Sequence, residues 1–300
     1  MNVSLRIVSL LPGATEWVCQ LGLKDQLVGV SHECDFPSEV AELPRVTRSR
    51  IPSDRSSREI DQAVRDHSDS LTPLYDLDQL ALERLKPDLI LTQSLCNVCA
   101  VSQKDVLNLA SRLAGECKVL DLPARTFDDV LADAKAISEA TGNQPKSLQA
   151  INTVEQRIAA VRREVSVAKD TKRDSLPRVT LLEWTDPIFC SGHWTPQLIE
   201  WAGGRDPIGK TGQPSREIPF DDLVEADPDI LLVACCGMDL RRTESEFATL
   251  RERVDWNRLS VSRSNQVHLF DGSAFFNRPG PRLVETLEEV ARIIRRWQIG

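Results

Sequence analysis

Short apolar runs alternate with amphipathic stretches along the first 143 residues of the chain. The runs are bounded by polar or turn residues, as strands are, and the stretches between them repeat apolar residues at helical spacings of three and four. Strands and helices that alternate in this way form βαβ units on a parallel sheet. The predicted strands are 6–10, 27–30, 89–92 and 118–120, and the predicted helices are 15–21, 77–85 and 103–113.

The stretch 42–73 interrupts this alternation. It is rich in Ser, Arg, Asp and Pro, and only a short helical signal is present near 60–64. Clusters of such residues between periodic segments are typical of loops. We interpret the stretch as a long surface excursion, and a lid over a ligand is the functional alternative.

A single long amphipathic helix is predicted from residue 144 to about residue 172. Its apolar positions recur at spacings of three and four, and charged residues occupy the other positions. With a rise of 1.5 Å per residue, such a helix is about 40 Å long, which suits a rigid spacer between two lobes. The residues of the apolar stripe are Leu148, Ile151, Val154, Ile158, Val161 and Val165.

The α/β alternation resumes after the helix breaker at 174–177. The phrase LKPDLILTQ at 85–93 is echoed by ADPDILLVA at 226–234, which indicates two similar lobes. We therefore predict an α/β fold with an N-terminal lobe at 1–143, a connecting helix at 144–173 and a C-terminal lobe at 174–300. The predicted strands of the second lobe are 179–183, 230–234 and 267–270, and its predicted helices are 196–202, 220–225, 244–250 and 281–298.

Charge and hydropathy narrow the class of partner. The chain has 300 residues and a net charge of −8, whereas a nucleic-acid-binding surface needs clustered basic residues. No stretch approaches the roughly 20 apolar residues of a membrane span. The first residues do not have the pattern of a secretory signal, so we expect a cytoplasmic location. We also expect a monomer that binds a small-molecule ligand and neither inserts into a membrane nor binds nucleic acid.

The eight cysteines are too sparse for a disulfide scaffold. They are predicted to be free thiols, metal ligands or redox groups. The chain contains neither the G-x-S-x-G motif of hydrolases nor the G-x-G-x-x-G and P-loop motifs of nucleotide-binding proteins. Hydrolase and nucleotide-dependent activities therefore lack support.

Cysteines and histidines follow the predicted strands of the first lobe. In an open parallel sheet the loops at the carboxyl ends of the strands face one crevice, so these side chains are expected to converge. The group His32-Glu33-Cys34-Asp35 suits metal ligation or contact with a polar cofactor rim, and a polar turn is the alternative. The pair Cys96 and Cys99 suits half of a zinc site, a redox pair or two small buried side chains.

Aromatic residues accompany the thiols and imidazole of the second lobe. The segment 183–194 holds two tryptophans, a phenylalanine and a histidine, a composition that suits a flat apolar ligand, although one tryptophan is expected to pack beneath the loop. Adjacent side chains on an extended strand point in opposite directions, so at most one of Cys235 and Cys236 should face the crevice. The segment 271–282 adds Phe275 and Asn277 as candidate ligand contacts.

Five segments in order make the chain similar to the cobalamin and iron-siderophore class of substrate-binding proteins, and most of all to the cobalamin-binding proteins of ABC importers. The segments are RIVSLLPGATEWVCQLGLKDQLVGVSHECDFP, LERLKPDLILTQ, DPIFCSGHWTPQLIEWAGG, SREIPFDDLVEADPDILLV and FNRPGPRLVE.

The resemblance implies two Rossmann-like lobes with mostly parallel sheets, joined by one long α-helix, with a ligand held in the crevice between them. It also implies an ABC importer permease as partner, with Glu217 at the docking position of the C-terminal lobe and Gln103 at the corresponding N-terminal position, and a periplasmic location as the alternative to the cytoplasm. The residues that it places in contact with ligand lie at 32–36, 93–99, 184–194 and 275–277.

These observations lead to the hypothesis of a non-catalytic protein that binds cobalamin or a related corrinoid. Either His32 or His193 is the candidate axial ligand of the cobalt. The alternatives are a haem, siderophore or metal-ion binding protein, whose metal ligands are drawn from His32, Cys34, Cys96, Cys99 and His193, and a thiol-dependent corrinoid-processing or redox enzyme. The complete set of predicted ligand contacts is His32, Glu33, Cys34, Asp35, Phe36, Gln93, Cys96, Cys99, Trp184, Asp186, Phe189, His193, Trp194, Cys236, Phe275 and Asn277.

Overall fold

The N-terminal half of the chain folds around a parallel sheet. The computed structural model describes residues 5–68, 74–94, 103–113, 115–171 and 176–299. The elements of the N-terminal half are β1 (Ile7–Ser9), α1 (Pro12–Gln20), β2 (Leu27–Val30), β3 (Thr47–Ser49), α2 (Ser57–Ser68), β4 (Tyr75–Leu77), α3 (Gln79–Leu85), β5 (Leu89–Thr92), α4 (Gln103–Ala110), β6 (Lys118–Asp121) and α5 (Phe127–Thr141).

The sheet of this half has the strand order β2-β1-β5-β6, and each neighbouring pair is parallel. All four residues of β5 are buried, as expected for a central strand that is covered by helices on both faces. A separate antiparallel pair joins β3 to β4. The core around β5 includes Val8, Leu82, Ile90 and Val106, which are at most 1% exposed.

The C-terminal half is built around a mixed sheet. It follows the long helix α6 (Gln144–Thr171). Its elements are β7 (Val179–Thr185), β8 (Ile188–Cys190), α7 (Thr195–Trp201), β9 (Arg216–Glu217), α8 (Phe220–Ala226), β10 (Ile230–Val233), α9 (Leu240–Arg251), β11 (Val267–Leu269) and α10 (Leu283–Ile299). The strand order is β11-β10-β7-β8-β9, in which β11, β10 and β7 are parallel and β8 and β9 are antiparallel to their neighbours.

The echoed phrases have the same structural role in both halves, which we call the Arg–Asp clip. The backbone N–H of Arg6 donates to Asp88 Oδ2 over 2.8 Å, and its side chain donates to the last carbonyl of α3. Likewise, the N–H of Arg178 donates to Asp229 Oδ2 over 2.8 Å, and its side chain donates to the last carbonyl of α8. Each clip fastens the start of one central strand, β1 or β7, to the start of the next.

The α/β fold class is confirmed, and most predicted elements are present within two residues of their predicted ends. The long helix predicted from 144 is α6, which ends at Thr171. The predicted helix 77–85 was wrong in its first two residues, because Leu77 pairs with Thr47 as part of β4 and the helix begins at Gln79. Only a short part of α2 was predicted, and α5 and the short strands β3, β4, β8 and β9 were not predicted.

Contacts divide the chain into two compact units. The first contains Met1–Arg55, Glu59–Ala124 and Asp128–Asn152, and the second contains Ser56–Arg58, Arg125–Phe127 and Thr153–Gly300. Two short pieces of the N-terminal half therefore cluster with the second unit. The division along α6 falls between Asn152 and Thr153, inside the predicted connecting helix.

Candidate functional site

The carboxyl ends of the first unit's strands carry polar side chains. Ser9 ends β1, Ser31 follows β2, and Thr92 and Gln93 end and follow β5. All four are buried. Because these strands are parallel, their carboxyl ends lie at one edge of the sheet, where ligands bind in open α/β folds. This edge is the candidate binding edge of the first unit.

His32 is oriented at this edge by Thr47. The backbone N–H of His32 donates to Thr47 Oγ1 over 2.9 Å, and His32 Nδ1 lies 2.7 Å from the same oxygen. The imidazole packs against the ring of Tyr75 at 5.4 Å. Since Nδ1 is engaged, Nε2 is the nitrogen left for a ligand, and it lies 3.3 Å from Glu33 Oε1.

Cys34 lies in the core of the first unit. Its side chain is 1% exposed, and its Sγ is 3.1 Å from Thr15 Oγ1. Arg45 donates to the carbonyl oxygens of Ser31 and Cys34 and so fixes the loop from below. The role of Cys34 as a ligand contact stays a prediction, whereas its neighbours Glu33, Asp35 and Phe36 are exposed.

The loop after β5 is described only at its beginning. Gln93 is buried and Ser94 donates to Asp121 Oδ2 over 2.6 Å. Cys96 and Cys99 lie outside the described residues. Among the residues that the structure describes, no group of three or more His, Cys, Asp or Glu side chains is arranged to hold a metal ion.

In the second unit, His193 stands on a tightly held loop. Its backbone has a φ of 50°, in the left-handed region that non-glycine residues rarely adopt. Its N–H donates to the carbonyl of Gln213 over 2.6 Å, and its carbonyl accepts from Gly212. A Cβ at the preceding Gly192 would lie 2.3 Å from the nitrogen of Ser215, so only glycine allows this close approach.

The surroundings of His193 favour the neutral form of its imidazole. Burial, together with the positive charge of Arg125, lowers its pKa below the ordinary value. A neutral imidazole is the form that binds a metal. The ring lies 5.6 Å from that of Trp194.

Two enclosed carboxylates support the His193 loop from beneath. Glu183 accepts hydrogen bonds from Ser215 Oγ at 2.5 Å and from the N–H of Gly192 at 3.2 Å. Asp206 accepts from Ser191 Oγ at 2.7 Å and from two backbone N–H groups of its own turn. Burial raises the pKa of Glu183 to about 7, against the lowering effect of its hydrogen bonds, and burial also raises the pKa of Asp206.

Glu183 is expected to make the protein less stable as the pH rises from about 4.5 to about 7. In that window the folded state retains a proton that the unfolded state has lost, so the free energy of unfolding falls with pH, by at most about 3 kcal/mol. Glu183→Gln should remove this part of the decline while keeping an oxygen acceptor. Urea unfolding at pH 5 and pH 8 measures it.

The control for this prediction is Glu200→Gln, which changes an exposed glutamate on α7 of the same unit. Its pH dependence should match that of the unchanged protein. Other enclosed acids titrate in the same range, so the comparison rests on the difference between the two variants. Equal pH dependence in both variants would show that Glu183 is ionised throughout.

The two tryptophans of the segment 183–194 have different roles. Trp194 is buried, and its Nε1–H donates to the carbonyl of Phe276 over 2.6 Å, so it is the tryptophan that packs beneath the loop. Trp184 is partly exposed, as is Phe189 opposite it on β8. Its Nε1–H donates to the carbonyl of Ser57, and Asp186 pairs with Arg58.

The loops after β10 and β11 are bonded to each other. Asn277 Nδ2 donates to the carbonyls of Ala234 and Gly272 over 3.0 and 3.1 Å, so the amide holds two loops together. Phe275 is partly exposed, and Cys236 is exposed whereas Cys235 is fully buried. The expected alternation along a strand does not apply to the two cysteines, because β10 ends at Val233 and Cys236 lies in a turn. Asn277 and Phe275 stay predicted ligand contacts.

Several residues that shape these loops were not predicted. Thr47 orients His32 from a strand that carries no sequence signal, and Asp206 and Ser215 act from loops without a motif. Glu183 had one usable signal, because a carboxylate near the end of a buried strand needs partners. The docking candidate Glu217 is exposed on β9, where it pairs with Phe189 of β8 in the strand register.

Three comparisons with known proteins agree with this architecture. The vitamin B12-binding protein of Vibrio cholerae is 22% identical over 295 residues, which span 97% of this chain and 89% of that protein. An uncharacterised ABC transporter substrate-binding lipoprotein of Bacillus subtilis, YvrC, is 24% identical over 294 residues, 96% of this chain and 79% of that protein. The periplasmic heme-binding protein BhuT, in complex with two hemes, superposes with a TM-score of 0.74 at 18% identity and covers 98% of this chain and 99% of its own.

No helix among the described residues is long and apolar enough to cross a membrane.

The fold likeness and the family model lead to one conclusion. The model of the family described as periplasmic binding protein matches residues 7–271, which include the loops of His32, His193 and Cys236. The resemblance of the strand-end segments is thereby confirmed: the chain belongs to the periplasmic binding protein family.

Proposed function

We propose that the protein is a non-catalytic substrate-binding protein whose ligand is cobalamin or a related corrinoid. The observation that carries the proposal is His32, whose Nδ1 lies within hydrogen-bond distance of Thr47 and whose Nε2 is left for an axial bond to cobalt. Nε2 is buried, has no hydrogen-bond partner among the described residues and lies 3.3 Å from Glu33 Oε1, so the side chains around it must move before it can bind cobalt. The names of several relatives, vitamin B12-binding proteins, support the same ligand class.

Side chains of the second unit support binding of a flat apolar macrocycle. Trp184, Phe189 and Phe275 are partly exposed aromatic rings at or near the carboxyl ends of the strands. Aromatic faces bury a large apolar area with little loss of side-chain freedom. The second unit also carries the imidazole of His193, and its predicted polar contacts Asp186 and Asn277 suit the amide rim of a corrinoid, as does the predicted contact Gln93 of the first unit.

The proposal is tested with aquocobalamin, in which one axial position of the cobalt holds an exchangeable water. Binding should shift its visible absorption spectrum as imidazole replaces the water. His32→Ala should abolish the shift, whereas His193→Ala should keep it. Thr47→Val, which removes the oxygen that orients the imidazole, should weaken binding about tenfold or more.

Cyanocobalamin provides the matched control, because its cyanide does not exchange readily with imidazole. It should bind the unchanged protein and His32→Ala with similar affinity and without a spectral shift. Isothermal titration that detects no heat with aquocobalamin, cyanocobalamin or cobinamide, together with unchanged spectra, would contradict the proposal.

Haem is the second candidate ligand. An imidazole is also a common axial ligand of haem iron, and the fold likeness to BhuT, a heme-binding protein by name, supports this class. A titration with hemin decides between the two ligands. Tighter binding of hemin than of aquocobalamin, with a Soret shift that His32→Ala removes, would favour haem.

A thiol-dependent enzyme has less support from the described residues. Burial raises the pKa of Cys19 and Cys117 to about 11 and that of Cys235 to about 12, and it also raises the pKa of Cys190. These thiols are therefore protonated at neutral pH, which is unfavourable for nucleophilic or redox chemistry. Replacement of Cys96 and Cys99 by serine tests this alternative, because lost turnover of the corrinoid with intact binding would favour the enzyme.

We also propose that the protein delivers its ligand to an ABC importer permease, with Glu217 as the docking residue of the second unit. Names of relatives, such as the ABC transporter substrate-binding lipoprotein YvrC, support this partner and a location outside the cytoplasm. Both are proposals for this chain. Fractionation of cells that express the full-length gene tests the location directly.

A further inference from the structure

We propose that residues 56–58, which we call the strap, cover the carboxyl end of β7. The strap must detach before a ligand can contact the polar groups of Trp184 and Asp186. The inference rests on the proposed function for the identity of the ligand. The strap itself rests on contacts within the second unit.

The strap belongs to an exposed segment and contains one buried residue. Residues 52–56 are all exposed, and Arg58 and Glu59 are exposed, but Ser57 between them is 1% exposed. Its hydroxyl donates to Glu246 Oε2 over 2.5 Å and lies 3.4 Å from Thr185 Oγ1. A single serine therefore anchors the excursion against β7 and α9.

The strap uses the polar groups that the sequence assigns to ligand. The indole Nε1–H of Trp184 donates to the carbonyl of Ser57 over 3.1 Å. The guanidinium of Arg58 donates to both carboxylate oxygens of Asp186, over 2.8 and 3.0 Å. While these bonds persist, the indole N–H is engaged and the charge of the carboxylate is paired with that of Arg58.

The contacts of the strap suit a releasable segment. The side chain of Arg58 is 77% exposed, and exposed ion pairs contribute little to stability. The chain leaves the first unit at Arg55 and returns to it at Glu59. Ser57 and Arg58 are the first two residues of α2, so detachment of the strap requires the first turn of this helix to unwind. A depression of about 350 Å³, lined in part by Arg58, Asp186 and Phe220, adjoins the strap and would widen when Arg58 swings away.

Hydrogen exchange of the full chain without ligand tests the strap. Arg58→Gln breaks the pair with Asp186 and should speed amide exchange in a peptide that covers 55–60. The matched control is Arg65→Gln, which breaks a pair of the same kind with Asp61 inside α2 and should leave that peptide unchanged. Equal exchange of the 55–60 peptide in the two variants overturns the strap.

Ligand affinity tests the competition. Arg58→Gln should bind aquocobalamin about fivefold more tightly than the unchanged protein, the factor that corresponds to about 1 kcal/mol, and Arg65→Gln should bind with unchanged affinity. Equal or weaker binding by Arg58→Gln overturns the competition. If neither protein binds a corrinoid or hemin, the proposed function and the competition both fail, and the exchange measurement alone decides whether the strap detaches.

Discussion

Gly272→Ala is expected to lower the free energy of unfolding by about 3 kcal/mol or more. A Cβ at this position would lie 1.8 Å from the carbonyl oxygen of Cys235 and 2.6 Å from its carbonyl carbon. Both atoms belong to the backbone after β10, so neither moves without displacing the loop, and overpacking of this kind costs about 1–3 kcal/mol even where side chains yield. Chemical denaturation of the purified variant measures the loss.

The same substitution should disturb the binding loops. The carbonyl of Gly272 accepts from Asn277, which also holds the carbonyl of Ala234, so a displaced loop breaks the bond between the loops of β10 and β11. Gly237→Ala is the control, since Gly237 lies in the loop after β10 with nothing within 4 Å of the added carbon. That variant should lose only about 1 kcal/mol, the cost of a left-handed backbone without glycine. A Gly272→Ala protein as stable as Gly237→Ala would contradict the close approach of the two loops.

Asp206→Ala is expected to cost about 2 kcal/mol of stability and to weaken aquocobalamin binding about tenfold. The substitution leaves three donors without their acceptor: the hydroxyl of Ser191 and the N–H groups of Ile208 and Gly209. The cost is less than three full hydrogen bonds, because burial already disfavours the ionised carboxylate. Ser191 lies two residues before His193, so the loop that carries the imidazole loses its support.

Asp206→Asn separates hydrogen bonding from charge. Its amide oxygen still accepts from the two N–H groups, and its NH₂ donates to the hydroxyl of Ser191, which rotates to accept. We expect less than about 1 kcal/mol of loss and near-normal binding. Thermal unfolding and visible-spectrum titration of both variants measure the effects, and identical losses for Asn and Ala would show that the three hydrogen bonds do not hold the loop.

The parallel strands and long helices were predictable because local pattern alone defines them. The run Ile230–Val233 is fully buried on both faces, so four consecutive apolar residues identify it. The stripe along α6 repeats over many turns, which makes its period unmistakable. In contrast, α5 was missed although Phe127, Val130, Ala134 and Ile137 show the helical spacing and are at most 1% exposed.

The short antiparallel strands depend on partners that are far away in the sequence. The strand β4 pairs with β3 across α2, and β9 has two residues and pairs with β8 across α7. Two or three residues carry too little pattern to identify a strand. Their positions are set by the tertiary fold, which overrides local preference.

The candidate site divides in the same way. Residue types at strand ends were predictable, because the topology of a parallel sheet brings such loops together. The partners that orient them were not, since Thr47 lies 15 residues from His32 and Ser57 lies 127 residues from Trp184. The sequence shows which side chains can bind a ligand, whereas only the fold shows which are already engaged.

The hydrogen bonds of the two Arg–Asp clips lie at the edge of each sheet that is opposite the binding loops. They hold the starts of β1 and β7, whereas His32, Cys236 and Phe275 follow the carboxyl ends of the parallel strands β2, β10 and β11. Loops can therefore be exchanged without loosening either sheet. Ligand preference in this architecture can thus change independently of the sheets. Grafting the strand-end loops of a haem-binding relative onto this chain is a direct way to change its ligand preference.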